Sequence, residues 1–257
     1  MTLVQTDAIV LHIADYLESS RILRLATREA GVQSVVARGA RSSKKRFGSA
    51  VDLFAEGQAQ IQMKQGRDLH ALQGFDVTAS RASLALDLGR FTAASAIAEC
   101  ALRLLHDEAA PSVYGVLLDG FDRLAAAAPA DTGSTTLGAL WRLIGEVGFR
   151  PAVAHCAECH TPLEDEAEAR FQVAAGGALC ALCARQVPGG RLLPPAARRA
   201  LQQWLAGEAV LAESADVRAH QRLLREFLDH HLPDNRPLKA YRVWEQGHWE
   251  SNAQVDR

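Results

Sequence analysis

Two C-x-x-C pairs, Cys156-Ala157-Glu158-Cys159 and Cys180-Ala181-Leu182-Cys183, constrain this chain more tightly than any other feature. Twenty residues separate them. Each C-x-x-C turn points two sulfurs to one side, and two such knuckles complete a tetrahedron around a single ion. The residues between must therefore double back. Arg170-Phe171-Gln172-Val173 has the character of a hairpin strand, and Gly176-Gly177 supplies permissive backbone for the second turn. Four thiolates leave no open coordination position, so the expected site is structural, with one zinc per chain held by Cys156, Cys159, Cys180 and Cys183. Four thiolates also suit iron, and His155 and His160 flank the first pair as alternative ligands. A redox dithiol needs only one pair, and no βαβ pattern surrounds either one. A nucleobase deaminase needs H-x-E ahead of P-C-x-x-C, whereas His155 runs straight into Cys156 and neither pair follows a proline.

The fifth cysteine, Cys100, lies inside a helical pattern and reads as a small buried hydrophobe. Paired cysteines at metal-ligand spacing point to a reducing compartment, so cytoplasm is expected. The first 25 residues hold Asp7, Asp15 and Glu18 and no cationic start before an apolar core, unlike a signal peptide. No run of about 18 apolar residues reads as a membrane span. At 257 residues, with 48% hydrophobic and 23% charged residues, the chain is an ordinary globular sequence of one large or two small domains.

Net charge is −2, which excludes a uniformly basic nucleic-acid binder, but the charge is uneven. Residues 1–80 carry ten Lys/Arg against eight Asp/Glu, while the remainder is acidic by four. Within the basic part, Arg38, Arg41, Lys44, Lys45 and Arg46 place five cations in nine residues, and no acidic residue occurs between Glu29 and Asp52. Gly39, Ser42, Ser43, Gly48 and Ser49 keep the segment loop-like. Like charges packed this closely repel unless an anion sits among them, and a phosphate backbone is such an anion. Charge runs of this kind are as often solvated loops.

The basic stretch joins strands of a meander. Thr6–Ile13, Arg21–Thr27 and Gln33–Ala37 read as strands before it; Val51–Ala55, Gln58–Met63 and Leu69–Val77 read as strands after it. Five or six short strands in about 75 residues suit a small barrel, and an oligonucleotide-binding (OB) barrel of five strands fits the size. Such barrels grip single strands along one face and with their loops. Arg24 and Arg28 are candidates to share that surface, and Phe47, within the basic loop, is a candidate to stack on a base.

Helical spacing then takes over. Gly89–His106, Val113–Ala128 and Thr135–Val147 read as helices before the cysteines; Pro194 onward, Asp216–Leu232 and Leu238–Trp244 read as helical elements after them. Their apolar stripes are core by default. Arg198 and Arg199 are further phosphate-contact candidates, although cations near a helix N-terminus oppose its dipole. His220, His230 and His231 read as surface or interface residues. The fold class is therefore α+β: a barrel over 1–79, then a helical domain over 80–257 with the four-cysteine module, 150–188, inserted.

The order of these blocks resembles the RecO family of bacterial recombination mediators. The resemblance rests on T-x-A-I-V-L near Thr6, L-A-T-R-E-A-G from Leu25, A-R-G-A-R-S-S-K-K-R-F-G, V-D-L-F, G-F-x-P-x-x-x-x-C-x-x-C, G-G-x-L-C-x-x-C and L-L-R-E-F-L-D-H-H-L. It implies binding and annealing of single- and double-stranded DNA in DNA repair. It further implies work with a RecR partner and the C-terminal tail of the single-strand-binding protein to load the RecA recombinase, at the nucleoid. The family's DNA-binding role falls on Arg38, Arg41, Lys44, Lys45 and Arg46, and its metal role on the four cysteines. No catalytic constellation and no G-x-x-x-x-G-K-[ST] is present, so neither an enzyme nor a small-molecule substrate is expected. The rival reading is a zinc-stabilised adaptor whose basic loop meets an acidic protein tail.

Overall fold

The computed structural model describes residues 2–40, 51–232, 234 and 236–247. They form two compact units, Met1–Ala126 and Ala127–Arg257.

The first unit is built on a closed five-stranded barrel of order β1-β2-β3-β5-β4. Its strands are β1 (Thr2–Tyr16), β2 (Ser20–Thr27), β3 (Gly31–Ala37), β4 (Glu56–Met63) and β5 (Leu69–Ala79). Strand β1 is long enough to pair with β4 through its first half and with β2 through its second. A parallel pairing of β3 with β5 closes the barrel and leaves no free edge. Alternation places Val10, Leu23, Leu25, Val35, Ala37, Ile61, Leu72 and Phe75 inside.

Val51–Ala55 is not a strand. Val51, Phe54 and Ala55 are buried without the alternation a strand would give, and Phe54 has a φ of 67° and turns the chain. The Phe54 N–H donates to Val10 O (2.8 Å), and the Val10 N–H donates to Ala55 O (2.9 Å). This contact sits where the β1–β2 register shifts between Val10 and His12. The Phe54 ring stacks on Phe121 at 5.3 Å and meets the edge of Phe91 at 6.1 Å. Those partners belong to helices α1 (Leu88–Leu104) and α2 (Pro111–Ala126). Asp87 caps α1 by accepting the Arg90 N–H at 2.8 Å. Cys100 is fully buried, and burial pushes its thiol up.

Arg81, 4% exposed, ties barrel to helices within this unit. It pairs with Asp122 at 2.6 Å and Glu56 at 3.3 Å and donates to Phe54 O at 2.9 Å. A buried guanidinium is tolerated only with this degree of pairing.

The second unit holds helices α3 (Thr132–Ile144), α4 (Pro195–Ala206), α5 (Ser214–His231) and α6 (Lys239–Gln246). A small sheet of order β7-β6-β8 is formed by β6 (Ala169–Gln172), β7 (Gly177–Leu179) and β8 (Arg191–Leu193). Phe227 of α5 joins the parts: it packs against Trp141 of α3 at 5.5 Å and Phe171 of β6 at 6.0 Å.

His220 is buried, 2% exposed, with its ring edge-on to Trp204 at 4.8 Å, and not a surface residue. It falls on the α5 stripe because its neighbours Leu223, Leu224 and Phe227 do. Desolvation lowers its pKa from 6.5 to about 4. The unfolded chain therefore takes up a proton below about 6.5 that the folded chain refuses. Stability is expected to fall as pH drops from about 6.5 toward 4, by about 3 kcal/mol at most from this group. Urea titrations across that range on wild type and His220→Phe check it, since the variant loses that share of the acid sensitivity.

Candidate metal centre and nucleic-acid surface

The cysteine module is organised by backbone turns. In the first knuckle the Cys156 N–H donates to Thr161 O (2.8 Å) and the His160 N–H to Cys156 O (2.9 Å). His160 adopts a φ of 59°, which reverses the chain directly after Cys159. In the second, the Ala184 N–H donates to Cys180 O (2.9 Å). Gly176, at φ 76°, turns the chain into β7. A Cβ on Gly177 would lie 2.2 Å from Ala152 O, so only glycine lets these backbones pair at Ala152↔Gly177.

These turns bring the four Sγ atoms within 4.8 Å of one another. Cys159 Sγ lies 3.8 Å from Cys180 Sγ. A tetrahedron with metal–sulfur bonds of about 2.3 Å has edges of about 3.8 Å, so the donor set fits a zinc-sized ion. The Cys180 N–H donates to Cys156 Sγ at 3.3 Å, the kind of contact that stabilises a thiolate. The Thr161 hydroxyl and N–H pull the Cys159 thiol down to about 6, while hydrogen bonding from Cys159 and then burial push Cys183 up to about 12. Sulfurs this close do not all ionise unless a cation sits among them. His155 and His160 are outside this group and exposed.

Arg198 departs from its expected place. It is fully buried, not a surface phosphate contact. Its guanidinium donates to Val153 O and Leu163 O, both at 3.3 Å, to Asp165 O at 3.1 Å and to Glu164 O. The first turns of α4 thereby hold the segment that carries Cys156 and Cys159. Gln202, one turn on, donates to Val153 O as well (3.0 Å). Arg199 points the other way, exposed and paired with Glu166 at 2.6 Å.

On the barrel, Arg38 is exposed directly after β3. Arg41, Lys44, Lys45, Arg46 and Phe47 lie outside the described residues. Arg24 is half-buried on β2, opposite His12 and Ser34. Arg28 pairs with Asp7 at 3.2 Å and lies 5.0 Å from the Tyr114 ring centroid. Its charge is thus already engaged within the first unit.

Both parts of the chain match models of one family. Residues 1–81 match the recombination protein O N-terminal model, and residues 85–242 match the C-terminal model. This chain belongs to the RecO family. It is 36% identical to the DNA repair protein RecO of Anaeromyxobacter sp., over 96% of this chain and 97% of that protein. To the RecO of Nocardioides sp. it is 32% identical, over 93% of this chain and 98% of that protein. The closed barrel, the helical part and the four-cysteine cluster are the architecture that the sequence predicted. No helix among the described residues is long and apolar enough to cross a membrane. The role of Arg198 was not legible, because its pattern on α4 is that of any cation, and only its burial reveals it.

Proposed function

We propose that this RecO-family chain is a non-catalytic DNA-binding recombination mediator. It binds and anneals single strands and, with RecR, assists RecA loading on strands covered by single-strand-binding protein. The observation that carries this reading is the run of cations from Arg38 to Arg46 in the sequence, whose first member, Arg38, is exposed directly after β3. Arg38, Arg41, Lys44, Lys45 and Arg46 would neutralise phosphates, with Arg24 flanking them. Holding two strands on such a surface screens their mutual repulsion and raises the encounter rate of complementary bases. Arg198 has no part in this surface. Arg28 joins it only by exchanging its carboxylate partner for phosphate, and Arg199, in the second unit, is paired with Glu166. The metal centre, in this reading, braces the helical part and does no chemistry.

Fluorescence anisotropy with a labelled single-stranded oligonucleotide, titrated over salt, tests the reading. Each neutralised phosphate contributes about −0.7 to the slope of log K against log salt. The triple variant Arg41→Ala, Lys44→Ala, Lys45→Ala is expected to flatten that slope by about 2. An unchanged slope removes the basic stretch from DNA binding. Absence of any oligonucleotide binding at low salt favours the adaptor instead.

A further inference from the structure

We propose that Tyr16, at the tip of the first hairpin, is a stacking platform for an unpaired base of single-stranded DNA, with Leu17 beside it. The inference rests on the DNA-binding reading above and assigns it a contact that is not electrostatic.

Strand register makes the case. Leu23 and Leu25 of β2, and Val35 and Ala37 of β3, point into the core. Ile22, Arg24, Ser34 and Val36 therefore face outward. On β1, Ile13 packs against the core, so His12, Ala14 and Tyr16 share that outer face. The strands align these residues in rungs: His12–Arg24–Ser34, then Ala14–Ile22–Val36. The next outward position is Tyr16, opposite Ser20; β3 ends at Ala37, opposite Arg21, and Arg38 begins the turn that follows. An aromatic ring and the first cation of the basic stretch thus end up at the same end of the barrel.

The tip is apolar although it is largely exposed. Tyr16 is 40% exposed and Leu17 74% exposed. Leu17 has a φ of 53°, a conformation in which Gly or Asn costs less than a branched aliphatic residue. Neither burial nor turn geometry accounts for leucine there. The hairpin brings no surplus positive charge: Asp15 is met by Arg21 at 3.5 Å, and Glu18 is exposed. Its contribution to a nucleic acid is therefore contact with base faces, which every base offers, while phosphates are left to Arg38 and the residues after it.

The full-length protein carries the test. In anisotropy titrations, Tyr16→Ala is expected to weaken binding to a single-stranded oligonucleotide by about tenfold, with the salt slope unchanged, because stacking releases no counterions. Tyr16→Phe is expected to keep wild-type affinity. An oligonucleotide of the same length made of abasic sugar-phosphate is expected to bind wild type and Tyr16→Ala equally. Equal affinity of wild type and Tyr16→Ala for the ordinary strand overturns the proposal. So does an equal loss on the abasic strand, which would mark a general disturbance of the barrel. Failure of the underlying DNA reading looks different: wild type then shows no salt-dependent binding to either strand.

Discussion

Cys156→Ser is expected to abolish stoichiometric metal and to unfold the cysteine module. The strands of that module are short: four residues in β6 and three each in β7 and β8. Sheets this small do not stand alone in water. Their core is a handful of side chains, including Val153, Phe171 and Leu179. A metal held by the four cysteines would supply what packing cannot. Structural zinc in zinc-finger peptides contributes about 10–16 kcal/mol at pH 7, and the absent ligand removes much of that. Metal analysis of purified wild type is expected to give one zinc per chain, and a colourless protein argues for zinc over iron. Cys100→Ala is the control: the thiol is fully buried in α1 and outside the cluster, so metal content stays at one. Wild type with far less than one metal per chain refutes the four-cysteine assignment.

Arg198→Ala is expected to cost about 3–5 kcal/mol, since buried carbonyls left without a donor cost about 1–3 kcal/mol each. Four carbonyls on the segment 153–165 lose the Arg198 guanidinium at once, although Gln202 still reaches Val153 O and the Ala167 N–H still reaches Glu164 O. Arg198→Lys is expected to restore little, since a single ammonium cannot span carbonyls that a planar fork reaches together. Arg199→Ala, one residue away and exposed, is expected to leave the unfolding midpoint nearly unchanged. Denaturant unfolding of the three variants measures this, and the salt dependence of DNA binding provides a second readout. If Arg198 were a phosphate contact, its loss would flatten the salt slope and leave stability intact.

The contrast between these two residues shows where legibility stops. Adjacent arginines near a helix start look alike as letters, and both were reasonable phosphate candidates. Which one points inward depends on where α4 rotates its face, and that depends on what packs against it. The same holds for His220, whose polarity suggested surface but whose position on the α5 stripe buries it. Val51–Ala55 misled for the opposite reason. Val51 is indeed buried, yet Phe54 and Ala55 are buried in succession and Phe54 turns the chain where a strand would continue. Tyr16 carried no signal at all, because an isolated aromatic at a hairpin tip acquires meaning only from the strands that bring it to the same end of the barrel as Arg38.

Short-range chemistry was readable from the chain alone. Cysteine spacing dictates a four-sulfur site because a C-x-x-C turn has few geometries. Period-two and period-3.6 patterns divide barrel from helices because the core demands alternation in one and stripes in the other. The crowding of cations between Arg38 and Arg46 is a local fact that needs no fold. Long-range placement was not readable, because it follows from register and packing between segments far apart in sequence. The burial of Arg198 against four carbonyls, the closing of β3 onto β5, and the placing of Tyr16 and Arg38 at one end of the barrel all required the assembled structure.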